Sequence, residues 1–170
     1  MKIPTLSEEA RSEIRRLMAQ FPQRQSALLG ALFVAQEETG WLSPEVVAEV
    51  AEAMDLPVSE VTSVASFYHL FHFKPTGRHL IQVCTNISCM LNGCGAVLHH
   101  LKRRLGIEIG QTTADGMFTL KTAECLAACE IAPMMMVGPD RYGPLTPENV
   151  EEILNRYRDG RTPDPEPRTP

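Results

Sequence analysis

Five cysteines fall in two short stretches, and their spacing constrains this chain more than any other feature. "VCTNISCMLNGC" holds Cys84, Cys89 and Cys94, "ECLAACE" holds Cys125 and Cys129, and the rest of the 170 residues has none. Thiols gathered this way serve disulfides, metal ligation or redox exchange. The amino-terminal stretch "MKIPTLSEEARSEIRRL" carries several acids and lacks the apolar core of a secretory or transit peptide. A reducing, cytoplasmic setting is therefore expected, and it turns attention from disulfides to metal or redox chemistry.

Other classes recede on the same reading. The net charge of -5 disfavours a general nucleic-acid binder, which needs a concentrated positive field. The one basic run, "HHLKRR" from His99 to Arg104, closes an expected helix and complements its dipole there as a solvated face. The longest apolar run, "ALLGALFVA", is far short of the ~20 residues that span a bilayer. "GCGAVL" starts like a dinucleotide fingerprint but lacks the third glycine.

Along the chain, residues 1 to 75 contain no cysteine and read as four short helices in a small bundle. Ser7 caps the first, through about Gln20, with Glu8 and Glu9 in its first turn. The second runs from about Gln25 to Thr39, carries apolar Leu28, Leu29, Leu32, Phe33 and Ala35, and stops at Gly40. Ser43 and Pro44 open the third. The fourth is expected to start at Ser59, with Val61, Val64, Ala65 and Tyr68 on one face. His69 and His72 then fall three apart on a helical face, a spacing two metal ligands could share, but with no third ligand nearby they read as packing residues.

From about Gly77 the periodicity changes. "HLIQVC" reads as a strand ending on Cys84, and a helix follows, capped by Asn92 and stopped by Gly106. Met117 to Thr122 forms a strand after an Asp-Gly turn and leads to Cys125. Met134 to Met136 lies in another, with Met135 facing opposite its neighbours, and Thr146 caps the last helix. This strand–helix–strand–strand–helix order implies an α/β unit over residues 76 to 160, its helices packed on one sheet. Residues 161 to 170, rich in proline and charge, are expected to be disordered.

Cys84 and Cys89 bracket four residues after one strand, and Cys125 and Cys129 bracket three after another. Two such pairs at the ends of neighbouring strands can converge on one site. A [2Fe–2S] cluster takes four thiolates. Structural zinc also accepts cysteines two to four residues apart, and unligated thiols remain the plain alternative. Spacing alone leaves all three open. Cys94 precedes Leu98 by four and Leu101 by seven, which places it on the buried stripe of its helix as a packing residue.

"VCTNISC", "DGMFTLKTAECLAACEIAPMMMV" and "VASFYHLFHFKPTGRHLIQVC" resemble the small thioredoxin-like [2Fe–2S] subunit of NADH:quinone oxidoreductase, respiratory complex I. The resemblance runs from about Phe21 to Arg158 and includes the 35-residue interval between the two cysteine pairs. It implies a thioredoxin-like [2Fe–2S] ferredoxin domain of the α/β class, preceded by an N-terminal helical bundle. It implies one [2Fe–2S] cluster on Cys84, Cys89, Cys125 and Cys129, and Cys94 falls where the family pattern has no cysteine. It further implies an electron-transfer subunit with no catalytic residue of its own. Its partner would be a flavin-bearing, NADH-oxidising subunit that alone holds the FMN, with other peripheral-arm subunits around it. The chain would lie at the inner face of the membrane through that complex, without inserting, and the helices of residues 1 to 75 would be the docking element. Equivalent subunits of NAD-linked hydrogenases or formate dehydrogenases are the alternative host, and a zinc-stabilised interaction module is the alternative chemistry.

Around the cluster, Thr85 and Ser88 are expected to direct hydroxyls at sulfur, and Ala127 and Ala128 to let backbone approach it. Glu124 and Glu130 would add negative charge there, partly offset by Lys121.

Overall fold

Ser7 ends an extended segment, and its hydroxyl accepts the Ala10 N–H at 3.1 Å, so helix α1 (Glu8–Met18) begins where a side chain satisfies a free amide. The computed structural model describes residues 5–160, so the expectation for residues 161 to 170 lies outside the described residues. The chain divides between Pro75 and Thr76 into two compact units.

The first unit contains α1, α2 (Leu28–Thr39), α3 (Pro44–Met54) and α4 (Val58–Phe67), with a short 3-10 turn at Arg24–Ala27 before α2. Its core is the set of inward faces: Ile14 from α1, Ala31 and Leu32 from α2, Val46 and Val50 from α3, Val61 and Ala65 from α4. Gly40 adopts φ 78 and donates its N–H to Gln36 at 2.7 Å, a left-handed stop that favours glycine. Glu49 ties α3 to α1 by accepting from Arg11 at 2.7 Å and from the Leu6 amide at 2.9 Å.

Three expectations change here. The fourth helix starts at Val58 with Pro57 at its cap, not at Ser59; the fixed φ of proline sets the entry, and Ser59 lies inside, its carbonyl accepting from Ser63. Tyr68 leaves the helix in an extended conformation, φ -96 and ψ 122. His69 and His72 therefore share no helical face: His69 is exposed, and the His72 backbone bridges Gln36 and Leu42.

The second unit is a four-stranded sheet in the order β2-β1-β3-β4. Its strands are β1 (His79–Cys84), β2 (Phe118–Ala123), β3 (Met135–Val137) and β4 (Asp140–Tyr142). β2 runs parallel to β1, whereas β3 is antiparallel to β1 and forms a hairpin with β4 through Gly138 at φ 58. The helices are α5 (Ile87–Leu91), α6 (Cys94–Leu105) and α7 (Pro147–Arg158). α6 packs on β1 and on α7, around a core that includes Ile81, Val83, Leu101, Phe118, Leu120 and Leu154.

The expected order lacked α5 and β4, each too short to show a period. Asn92 ends α5 instead of capping α6; its side-chain amide donates to the Ser88 carbonyl at 2.7 Å, and Gly93 at φ 90 takes the cap. Met134 precedes β3 and is buried together with Met135, while Met136 is half-buried on the other face. The basic run is engaged within the unit: Arg104 and His100 meet Glu151 at 2.7 and 3.0 Å, and Lys102 meets Glu108 at 2.5 Å. Among the described residues, no helix is long and apolar enough to cross a membrane.

Candidate metal centre

Parallel pairing of β1 and β2 sends both cysteine loops out of the same end of the sheet. Cys84 stands opposite Ala123 in register, so Cys125 follows only two residues beyond that partner. The Cys84 N–H donates to the Met134 carbonyl at 3.1 Å, and the Thr85 N–H to the Ala123 carbonyl at 2.9 Å, pinning the strand end to both neighbours. The Thr85 hydroxyl also donates to Ala123, at 3.2 Å, so its proton goes to backbone rather than to sulfur. That hydroxyl completes the turn, which spacing could not reveal.

Cys89 sits on α5, not in an open loop, and is 1% exposed beside Cys84 at 3%. The Cys84 thiol and the Met134 backbone lie near its sulfur. Burial above all, then the nearness of Cys84 and Cys94, pushes the Cys89 thiol up to about 11, against the pull of the Met134 amide. Burial also raises Cys94, which is 4% exposed on the inward stripe of α6 with Val97 and Leu101. A metal taken up here must displace the proton from Cys89, so loading releases acid.

Cys125 and Cys129 are exposed on the loop that leaves β2. Ala127 adopts φ 53, a left-handed conformation rare for alanine, and its N–H points at Cys125 Sγ at 3.4 Å. Cys129–Ile131 forms a 3-10 turn, closed by the Ala132 N–H on the Cys129 carbonyl at 3.3 Å. Gly143 lies against this turn: a Cβ there would overlap the Ile131 carbonyl oxygen. Glu124 and Glu130 are exposed, and burial lowers the pKa of half-buried Lys121.

The structure thus brings Cys84, Cys89 and Cys94 together in one core and holds Cys125 and Cys129 on the adjacent loop. Among the described residues, no three His, Cys, Asp or Glu side chains stand ready as a metal cage. The donors nevertheless suit a [2Fe–2S] group. There are two buried thiols, one closing β1 and one on the turn that follows, and two exposed ones past the parallel end of β2. The backbone N–H of Ala127 already aims at sulfur, as an electron-rich cluster favours. Sequence reasoning missed Met134 and Gly143 as parts of the site, and placed Ala127 beside it without its left-handed conformation. The Gly-Pro pair in "DRYGPL" signals a turn, but nothing local tells which loop it supports.

A family profile described as "Thioredoxin-like [2Fe-2S] ferredoxin" matches residues 14–158. An E-type subunit of the NADH-quinone oxidoreductase of Rhizobium meliloti is 47% identical over 148 residues, covering 87% of this chain and 88% of its own length. The corresponding E-type subunit of Escherichia coli NADH-quinone oxidoreductase is 36% identical, covering 90% of this chain and 92% of its own. Among solved structures, an NAD+-reducing [NiFe]-hydrogenase in the air-oxidized state superposes with a TM-score of 0.69 at 26% identity, over 82% of this chain. The present chain spans about a quarter of the length of that hydrogenase chain, 24%. The profile, the near full-length relatives and the parallel strand ends that carry the cysteine pairs agree: the chain belongs to the thioredoxin-like [2Fe–2S] ferredoxin family, whose group is one [2Fe–2S] cluster.

Proposed function

We propose that this chain is the electron-transfer subunit of an NADH:quinone oxidoreductase. In this reading Cys84, Cys89, Cys125 and Cys129 hold one [2Fe–2S] cluster, which exchanges single electrons with the FMN of a partner subunit that oxidises NADH. The observation that carries it is the pairing of β1 with β2. That pairing delivers both cysteine loops to one end of a sheet, in a chain 47% identical to a component of NADH-quinone oxidoreductase. Bound there, the cluster supplies a centre that takes up and releases one electron at a time.

The rest is the work of the chain. Cys84 and Cys89, both buried, keep water from two of the four thiolates. The Ala127 amide donates to Cys125, which favours the more negative, reduced state. Exposed Cys125 and Cys129 leave the other side near the surface, where a partner's redox group comes within tunnelling range. In this reading the nicotinamide and its hydride belong to the partner. The first unit, with its exposed aromatic side chains, serves as the element that docks on the flavin-bearing partner. The complex holds the chain on the cytoplasmic, inner face of the membrane.

Anaerobically purified protein is expected to contain two irons and two sulfides per chain and to give an EPR signal after reduction. Stoichiometric zinc with no signal would overturn the reading in favour of a structural module. The hydrogenase likeness supports a second host, the diaphorase part of an NAD-linked hydrogenase. Co-purification with quinone-reductase subunits or with hydrogenase subunits separates the two.

A further inference from the structure

Parallel pairing fixes where the Lys121 side chain goes. Lys121 stands opposite Gln82 in register, two residues before the pair formed by Cys84 and Ala123. Side chains alternate along a strand, so Lys121, Gln82, Cys84 and Ala123 project to one face of the sheet, with Met136 beside Gln82. Ile81, Val83, Leu120, Met135 and Val137 fill the opposite face, and all are buried. Lys121 and Cys84 are therefore diagonal neighbours, ~7–8 Å apart, a gap that a long side chain spans.

The shared face is closed at this end. Thr119 and Ala123 flank Lys121 on it and are 2% and 3% exposed, and Leu126 and Ala128 of the cysteine loop are buried too. Lys121 is half-buried, and burial lowers its pKa, as for a cation stripped of part of its water. A lysine that only laid its stem along the sheet would keep its ammonium hydrated and its pKa ordinary. Glu124 and Glu130, the acids beside the second cysteine pair, are exposed. Water and salt screen them, so charge for charge they weigh less than a desolvated cation.

We propose that Lys121 sets the potential of the cluster: its positive charge, held on the sheet face that bears Cys84, stabilises the reduced state. The step concerned is the arrival of one electron from the partner's flavin. That electron adds one negative charge to a centre already negative through its four thiolates, and no proton moves. A cation ~10 Å away, at an effective dielectric constant of about 20, favours the added charge about tenfold. Lys121 ligates no iron in this reading and acts through its field.

This inference rests on the cluster proposed above. The test is redox titration followed by EPR on the full chain, prepared anaerobically as wild type, Lys121→Met, Lys121→Arg and Arg78→Gln. Lys121→Met is expected to shift the balance toward the oxidised cluster about tenfold, a fall of ~59 mV for one electron. Lys121→Arg keeps the charge and is expected to stay within about twofold of wild type. Arg78→Gln removes an exposed cation just before β1, ~20 Å from Cys84 at 3.3 Å per residue, and is expected to leave the midpoint unmoved. A Lys121→Met midpoint equal to wild type overturns the proposal. So does a Lys121→Arg protein that is empty or as low as Lys121→Met, or an Arg78→Gln protein that falls as far. Lys121→Gln replaces Lys121→Met if the apolar side chain prevents loading. Neutral variants that both stay empty, folded or not, also overturn it, because the lysine would then serve assembly. Failure of the functional reading looks different: wild type itself would lack iron and sulfide.

Discussion

At Gly143 the second unit has no room for a side chain, because a Cβ there would overlap the carbonyl oxygen of Ile131, in the turn that carries Cys129. Gly95 is the opposite case, a helical glycine in α6 whose added Cβ would meet nothing within 4 Å. Gly143→Ala is therefore expected to destabilise the protein by about 1–3 kcal/mol and to lower its iron content, since the turn must move. Gly95→Ala is expected to stabilise it by about 0.5 kcal/mol through helix propensity alone. Thermal unfolding and iron analysis of both variants measure the two effects, and a Gly143→Ala protein that matches wild type in both would show the turn is not held by that contact. The same contrast marks what single residues disclose in sequence. The pairs Cys84/Cys89 and Cys125/Cys129 and the inward Cys94 were legible because loop spacing and helical period are local properties. The destination of the Thr85 hydroxyl, the Cys84 amide on the Met134 carbonyl and the tight approach of Gly143 depend on strands distant in sequence, so no pattern carried them.

Among the elements, α7 and the β3–β4 hairpin are joined by one buried hydroxyl. Tyr157 is 3% exposed; its OH donates to Asp140 at 2.6 Å and lies 2.9 Å from the Tyr142 hydroxyl, while its ring packs 4.8 Å from His79. Burial is the first cause that drives its pKa far up, with the Asp140 hydrogen bond next, so the phenol stays protonated and the link persists through neutral pH. Tyr157→Phe keeps the ring but strands the Asp140 carboxylate, and is expected to cost about 1–3 kcal/mol in urea unfolding. His79 opens β1 and Cys84 closes it, ~16 Å apart at 3.3 Å per residue, so cluster content per folded chain should be unchanged. A loss of iron equal to that of Gly143→Ala would show that the link supports the cluster loops after all. Elements with side-chain signals were readable: Ser7, Ser43 and Thr146 cap the helices expected of them. α5 was not, because one turn has no period to detect, and Pro57 rather than Ser59 starts α4 because a fixed backbone angle set the entry.

On the scale of the molecule, the two units have separate hydrophobic cores, and all five cysteines belong to the second. The change in composition near residue 75 was visible in the sequence, but the surface of the first unit was not. Helical periodicity counted Phe33 and Tyr68 among the apolar positions of their helices, and both are exposed, as are Leu70 and Phe73, while Phe67 reaches 81%. Leu28, Leu29, Val64, Phe67 and Tyr68 line an apolar groove of about 500 Å³ along α2 and α4. Apolar surface left open on this scale, in a chain whose relatives are named as subunits, is what the proposed docking on the flavin-bearing partner would cover. Phe67→Glu adds a charge at the most open position of that groove. Because the residue is so exposed, stability should change by no more than about 0.5 kcal/mol, and iron and sulfide should stay at wild-type levels. Co-purification with the flavin-bearing partner should fall by about fivefold or more, as expected when an aromatic anchor is replaced by an unpaired charge. Undiminished co-purification by a folded, fully loaded Phe67→Glu protein would place the contact elsewhere, and a parallel drop in iron would instead assign Phe67 a part in folding.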